Sequence, residues 1–154
     1  MTKYPYFDNK FNHSTQLRLN VGILLLINSS ILLELRSDNR QWGLVGGRVE
    51  IGESPTVAAC RETFEETNIT LNITQLKLFG IYGDVSDNRI VYYNDANFHI
   101  IDIIYIYQLD SILDIRKSKE SLELHAFHYN SIPFSNLIRP AHRPLGDFLR
   151  INKL

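Results

Sequence analysis

Apolar residues fall along this chain in blocks separated by short polar stretches. Gln16 to Ile27 (QLRLNVGILLLI) and Ile31 to Arg36 (ILLELR) are the first two, joined by Asn28-Ser29-Ser30. Two such runs around a short polar link predict a β-hairpin. Gln75–Tyr82, Ile90–Tyr93, Phe98–Leu109 and Leu122–Tyr129 predict further strands. The run FHIIDIIYIYQL is apolar apart from His99, Asp102 and Gln108, as expected of a central strand covered on both faces. Asp102 there stands either at an opening or paired in the core, and the second is commoner. GDVSDNR and Asp110–Ser121 read as loops, and Leu145–Ile151 as a terminal helix after a Pro140–Pro144 turn. Residues 1–15 carry Tyr4, Tyr6, Phe7 and Phe11 and read as an arm docked on the domain or on a partner subunit. A single domain is expected over 16–154.

Between the second and third strand groups the period changes. Thr56 to Thr67 holds no Gly or Pro, Ser54 suits an N-cap, and Pro55 suits the first helical position. Asn68 stands where a helix turns left-handed to end. Val57, Cys60 and Phe64 fall on one side and predict the buried stripe. Glu62, Glu65 and Glu66 fall within an arc of roughly 100° on the other side. Strands on both sides of a central helix, plus a terminal helix, predict an α/β layered sheet.

Composition narrows the picture. The 154 residues suffice for one domain with a core, and the apolar content of 44% is ordinary. A net charge of −1 implies no general pull toward nucleic acid or an anionic membrane. The single Cys60 excludes an internal disulfide and reads as a small core residue. VGILLLI is too short to span a bilayer, and no signal peptide is evident, so a cytoplasmic protein is expected.

The glutamates carry the candidate chemistry. They lie in the second half of the helix, at the negative end of its dipole. Glu62 and Glu66 are a like-charge pair four residues apart, unfavourable by about 0.2–0.5 kcal/mol. Only Arg61 offers local charge balance. A solvated acidic face is one reading. Glu53 in the preceding turn and the Gly46-Gly47 pair favour another, a divalent cation held by hard oxygen ligands, Mg²⁺ or Mn²⁺ rather than zinc. Arg36, Arg40 and Trp42, just ahead of the glycines, are candidates for phosphate and base contact.

This stretch resembles the signature of the Nudix hydrolases: Gly, five residues, Glu, seven residues, then Arg-Glu-aliphatic-x-Glu-Glu-x-Gly-aliphatic. Gly47, Glu53, Arg61, Glu62, Glu65 and Glu66 stand at the matching positions, and Ile69 closes the pattern. Thr63 replaces an aliphatic residue, Asn68 the final Gly, and Val45 a frequent Pro. GLVGG, ESLEL and RPAHRP look like bacterial members of the ADP-ribose pyrophosphatase type, whereas YYNDAN departs from their Tyr-Pro-Asn-Gly-Asp loop. The resemblance implies an αβα sandwich with a mixed sheet. It implies Mg-dependent cleavage of a pyrophosphate bond in a nucleoside diphosphate linked to another group, or in a nucleoside triphosphate. It assigns the metal to Glu62, Glu65, Glu66 and the Gly47 carbonyl, orientation of the carboxylates to Arg61, and loop or second-metal support to Glu53. In many members a downstream glutamate is the general base, for which Glu120 is favoured over Glu123; in others a signature glutamate does that job. His142 is the one histidine worth testing for substrate contact. Small-molecule nucleotides are the expected partners, and a homodimer is common in the family. An RNA 5′-end pyrophosphohydrolase and a non-catalytic binding module are the alternatives. The missing Lys/Arg patch counts against the first and the intact glutamates against the second.

Overall fold

The computed structural model describes residues 15–87, 89–93, 96–112 and 114–154. The arm expected at 1–15, save its last residue, and Asn94-Asp95 of YYNDAN lie outside them. Seven strands form one mixed sheet: β1 (Gln16–Ile27), β2 (Ser30–Arg36), β3 (Trp42–Arg48), β4 (Lys77–Tyr82), β5 (Ile90–Tyr93), β6 (Ala96–Gln108) and β7 (Ser121–His128). The order is β4-β6-β1-β3-β2-β7, with β5 also paired to β6. β1 and β6 run parallel at the centre, with Asn20 opposite Asp102, and the other pairings are antiparallel. Helix α1 (Pro55–Thr67) covers one face and α2 (Arg139–Asn152) the other.

Alternation along the strands builds a core on each side. Val21, Ile23, Leu25 and Ile27 of β1 pack with Ala58 and Ala59 of α1. Leu24 joins Ile31, Leu33 and Trp42 against Ala141, Leu145 and Phe148 of α2. Because both faces are covered, the middle of β1 is buried without a break. The hairpin is as expected, with Asn28 at φ 50° in its two-residue link.

Three details differ from the sequence reading. The Pro140–Pro144 segment is not a turn, since α2 begins at Arg139. Pro140 falls in the first turn, where its missing N–H costs nothing, and Pro144 lies inside the helix. The paired glycines belong to a strand, β3, that the sequence pattern does not predict. The burial of α1 is reversed. Val57 and Phe64 are 45% and 53% exposed, while Ala58, Ala59, Thr63 and Thr67 are buried. Small side chains and two of the glutamates, not the large apolar ones, face the sheet. Cys60 is half-buried against the α1-side core, where burial pushes its thiol pKa up. Asp102 is paired in the core with fully buried Arg89.

Candidate active site

The inward face of α1 explains where the glutamates go. Glu62 and Glu66 lie on the same arc as Ala58, Ala59 and Thr63, so they point at the sheet. The small neighbours let the helix come close to β3. Thr63 and Thr67 satisfy their buried hydroxyls within the helix, donating to the carbonyls of Ala59 (2.7 Å) and Thr63 (2.6 Å). The helix is fixed at both ends. The Ser54 hydroxyl accepts from the Val57 N–H, and Asn68 turns left-handed (φ 63°) with its N–H on the Phe64 carbonyl.

The glycines of β3 receive the carboxylates. Gly46 has φ +145°, and its N–H donates to Glu66 Oε2 at 2.9 Å. At Gly47 an added Cβ would stand 2.6 Å from the Glu62 carboxylate, so that carboxylate occupies the space that any other residue would fill.

Arg61 is the internal counter-ion. Its guanidinium forks onto Glu53 (2.6 and 3.1 Å), reaches Glu62 (2.8 Å) and Glu65 (3.1 Å), and donates to the Arg48 carbonyl (2.9 Å). Glu53 also accepts from the Glu50 N–H at 2.8 Å, which pins the turn before α1. Bonding to Arg61 holds the Glu53 carboxyl below its ordinary range. Glu62 moves up instead, because burial outweighs its bond to Arg61. Glu66 is pushed far up by burial first and then by the negative charge of Glu34.

Glu34 was not a candidate in the sequence reading. It lies on β2 facing α1, 1% exposed, and accepts a hydrogen bond from the Ser121 hydroxyl. The available signal was the same as for Asp102, a lone charge inside an apolar run.

The remaining candidates divide by face. Arg36 forks onto Asp38 (3.0 and 3.1 Å), and its charge acts on both Glu34 and Glu66, so it borders the carboxylates. Arg40 is exposed in the β2–β3 turn at φ 56°. Trp42 faces the α2 side, 9% exposed, edge-on to Phe127 with ring centroids 4.8 Å apart. Its indole is therefore separated by the sheet from the glutamates. Glu123 is on that same far face, 3.6 Å from His125, whose ring lies against Trp42. Glu120 is exposed in the bend before β7, with its carbonyl accepting from the Ser37 N–H at 2.9 Å. His142 is exposed on α2, its ring 6.1 Å from that of Phe134.

The β6–β7 connection closes over the end of α1. The Arg116 N–H donates to the Thr67 carbonyl at 2.9 Å and the Ser118 N–H to the Glu66 carbonyl at 3.2 Å.

The donor set suits a hard divalent cation in its chemistry: carboxylates only, two of them turned inward against their own repulsion. Among the described residues no three Asp, Glu, His or Cys side chains stand as a ready ligand group, and Arg61 lies among the glutamates. Among the described residues, one carboxylate oxygen, Glu34 Oε2, is buried without a hydrogen-bond partner. A positive charge among these groups would relieve both the orphaned oxygen and the Glu34–Glu66 repulsion.

A family model for the NUDIX domain matches residues 16–149. The chain belongs to the NUDIX family. The Nudix fold is also evident in solved structures. A NUDIX hydrolase from Nitrosomonas europaea superposes with a TM-score of 0.68 at 23% identity, covering 92% of this chain and 74% of that one. A MutT protein from Methanosarcina mazei Go1 gives 0.69 at 22%, covering 93% and 100%. A bifunctional NMN adenylyltransferase/ADP ribose pyrophosphatase from Francisella tularensis, complexed with AMP and a manganese ion, gives 0.64 at 19%, covering 90% and 42%. A MutT-like protein of Streptomyces ambofaciens is 34% identical over 65 residues, 42% of this chain; the match spans 41% of that relative's length. Among the described residues of this Nudix chain, no helix is long and apolar enough to cross a membrane.

Proposed function

We propose that the protein hydrolyses a pyrophosphate bond in nucleoside diphosphate derivatives, with Mg²⁺ or Mn²⁺ as cofactor. The favoured substrates are a nucleoside diphosphate sugar such as ADP-ribose, or a nucleoside triphosphate. The observation that carries this reading is the inward carboxylate face of α1, seated on Gly46 and Gly47 and balanced by Arg61. Such an arrangement gathers like charges at the negative end of the helix, against its stability. The ADP ribose pyrophosphatase and manganese ion of the Francisella relative favour the same substrate class and cofactor.

Glu62, Glu65, Glu66 and the Gly47 carbonyl are the groups assigned to the cation. When bound, it would offset phosphate charge and acidify a coordinated water. Arg61 sets the orientation of Glu62 and Glu65 through charge-assisted hydrogen bonds. Glu53 fixes Arg61 and the turn. Arg36, bordering Glu66, is the residue assigned to a phosphate oxygen. Glu120 is the candidate base, taking the proton of the attacking water on its carboxylate. Residues 16–154 are read as one catalytic unit, and its substrate class as one met in the cytoplasm.

The test is a panel of nucleoside diphosphate sugars, nucleoside triphosphates and 5′-triphosphorylated RNA, each with Mg²⁺ and then with excess chelator. Release of a nucleoside monophosphate or of phosphate is measured. Turnover that stops with chelator and returns with Mg²⁺ or Mn²⁺ is expected. Undiminished turnover in chelator would refute the metal assignment, and cleavage of RNA alone would refute the substrate class.

A further inference from the structure

We propose that Glu34 is an additional ligand of the cation site, taking a divalent cation on its free Oε2 together with Glu66, directly or through one water. This rests on the reading above that the site holds such an ion. Glu34 is outside the signature stretch and reaches the site from a different element.

The first argument is placement. β2 lies between β3 and β7, covered on both faces. Leu32 and Glu34 alternate with Leu33, so Leu32 packs in the α1-side core and Glu34 follows it on that face. A leucine would suit such a position. A buried carboxylate instead requires partners, since desolvating a charge costs several kcal/mol unless it is paired.

The second argument is the partner inventory. Oε1 accepts from the hydroxyl of Ser121, which is itself 1% exposed and 3.0 Å from the Ser118 hydroxyl. Oε2 has no partner. The nearby cation, Arg36, directs its fork at Asp38. One hydroxyl is thus the whole hydrogen-bonded support of a carboxylate with room for about four bonds.

The third argument is what faces it. Glu34 stands on the face of β2 that α1 covers, and Glu66 on the side of α1 turned to the sheet. Among the described residues, the Glu66 carboxylate accepts one hydrogen bond, from the Gly46 N–H. The connection ahead of β7 closes the third side, with Ser118 bonded to the Glu66 carbonyl and Ser121 to Glu34. Two buried acids therefore share a space supplied with one amide and one hydroxyl. A dipositive ion bound there would satisfy both, and it would tie β2, α1 and the connection together.

The experiment uses the full chain and the metals alone. Mn²⁺ binding is followed by the electron paramagnetic resonance of free Mn²⁺, Mg²⁺ binding by calorimetry, and apo stability by thermal melting. Glu34→Gln keeps the size and can still accept from Ser121. It should weaken Mn²⁺ binding at least tenfold, or remove one ion from the stoichiometry, while the apo protein melts at the wild-type temperature or above. Ser121→Ala removes the structural bond but leaves the charge. It should melt earlier and bind Mn²⁺ within threefold of wild type. Should Glu34→Gln fail to fold, Glu34→Asp keeps the charge but withdraws the oxygen by one methylene, and the same tenfold weakening is expected. Wild-type affinity and stoichiometry in the Gln variant, or in the Asp variant used in its place, would overturn the proposal. Glu34 would then be only a buried acceptor for Ser121. A wild-type protein that binds neither metal overturns the cation reading of the site as well, so the two failures are distinguishable.

Discussion

The adjacent glycines Gly46 and Gly47 should fail in different ways when a methyl group is added. A Cβ at Gly46 would lie 2.2 Å from the Val21 carbonyl oxygen and 2.9 Å from the Gly22 Cα, both backbone atoms of β1. Its φ of +145° is also one that side-chain-bearing residues rarely adopt. Strands β1 and β3 would have to part by about 1 Å to restore ordinary contact. Backbone strain alone costs about 1–3 kcal/mol, and broken ladder bonds add to it, so Gly46→Ala should lose about 3 kcal/mol or more. At Gly47 the obstacle is the end of a side chain. The new Cβ would stand 2.6 Å from Glu62 Cδ and Oε1 and 2.7 Å from Oε2. The carboxylate must retreat by about 1 Å, loosening its bond to Arg61, which is worth about 1 kcal/mol. The stiffer unfolded chain offsets about 0.4–1 kcal/mol of that loss. Stability should therefore change little, while a 1 Å displacement of a site group lowers turnover by about 10²-fold. Urea unfolding and turnover of a nucleoside diphosphate sugar measure the two effects. A Gly46→Ala protein as stable as wild type, or a Gly47→Ala protein with full turnover, would refute the geometric argument.

Glu66→Gln should lower kcat by about 10²-fold or more if the carboxylate holds the cation. Its apo stability should equal or exceed that of wild type. The raised pKa of Glu66 gives stability present below the ordinary carboxylate range and lost as pH rises through the folded-state value. Urea unfolding above pH 4.5 should thus show a decline with pH that is shallower in the Gln variant; an unchanged slope would count against the buried-carboxylate account. Asn68→Gly should be neutral or mildly stabilising by thermal melting, and Asn68→Val destabilising by about 1 kcal/mol or more, because Asn68 sits at φ 63°. Equal melting of all three would remove the cap argument.

The ends of α1 were readable because capping chemistry is local. Ser54, Pro55 and Asn68 act through their own backbone neighbourhood, and the structure places all three as expected. Carboxylate spacing was readable for the same reason, since 3.6 residues per turn fixes which side chains share a face. Which face is buried is a different matter, because it depends on the surface that receives the helix. Val57 and Phe64 have the right spacing for a core stripe, but β3 presents Gly46 and Gly47 to Glu66 and Glu62, and the buried residues of α1 are Ala58, Ala59, Thr63 and Thr67. Trp42 was read by its nearness in sequence to the glycines; strand alternation turned it to the opposite layer. Pro144 was read as a break, yet it is buried in the α2 layer within the helix. Glu34 carried a legible signal, a charge in the middle of ILLEL, but its nearness to Glu66 arises only from the packing of β2 beneath α1.

The two backbone bonds from the β6–β7 connection to α1 give the site a native clock. The last carbonyls of a helix ordinarily face water, whereas those of Glu66 and Thr67 are taken by the N–H groups of Ser118 and Arg116. Each time the connection lifts away, those two amides become free to exchange their protons with solvent. Their exchange rates therefore record how often the end of α1 is uncovered, without any label or substitution near the carboxylates. The connection continues through Glu120, whose carbonyl is held by Ser37. Opening at Arg116 and Ser118 alone would thus describe a flap hinged at the β2–β3 turn, and simultaneous exchange at Ser37 a segment released at both ends.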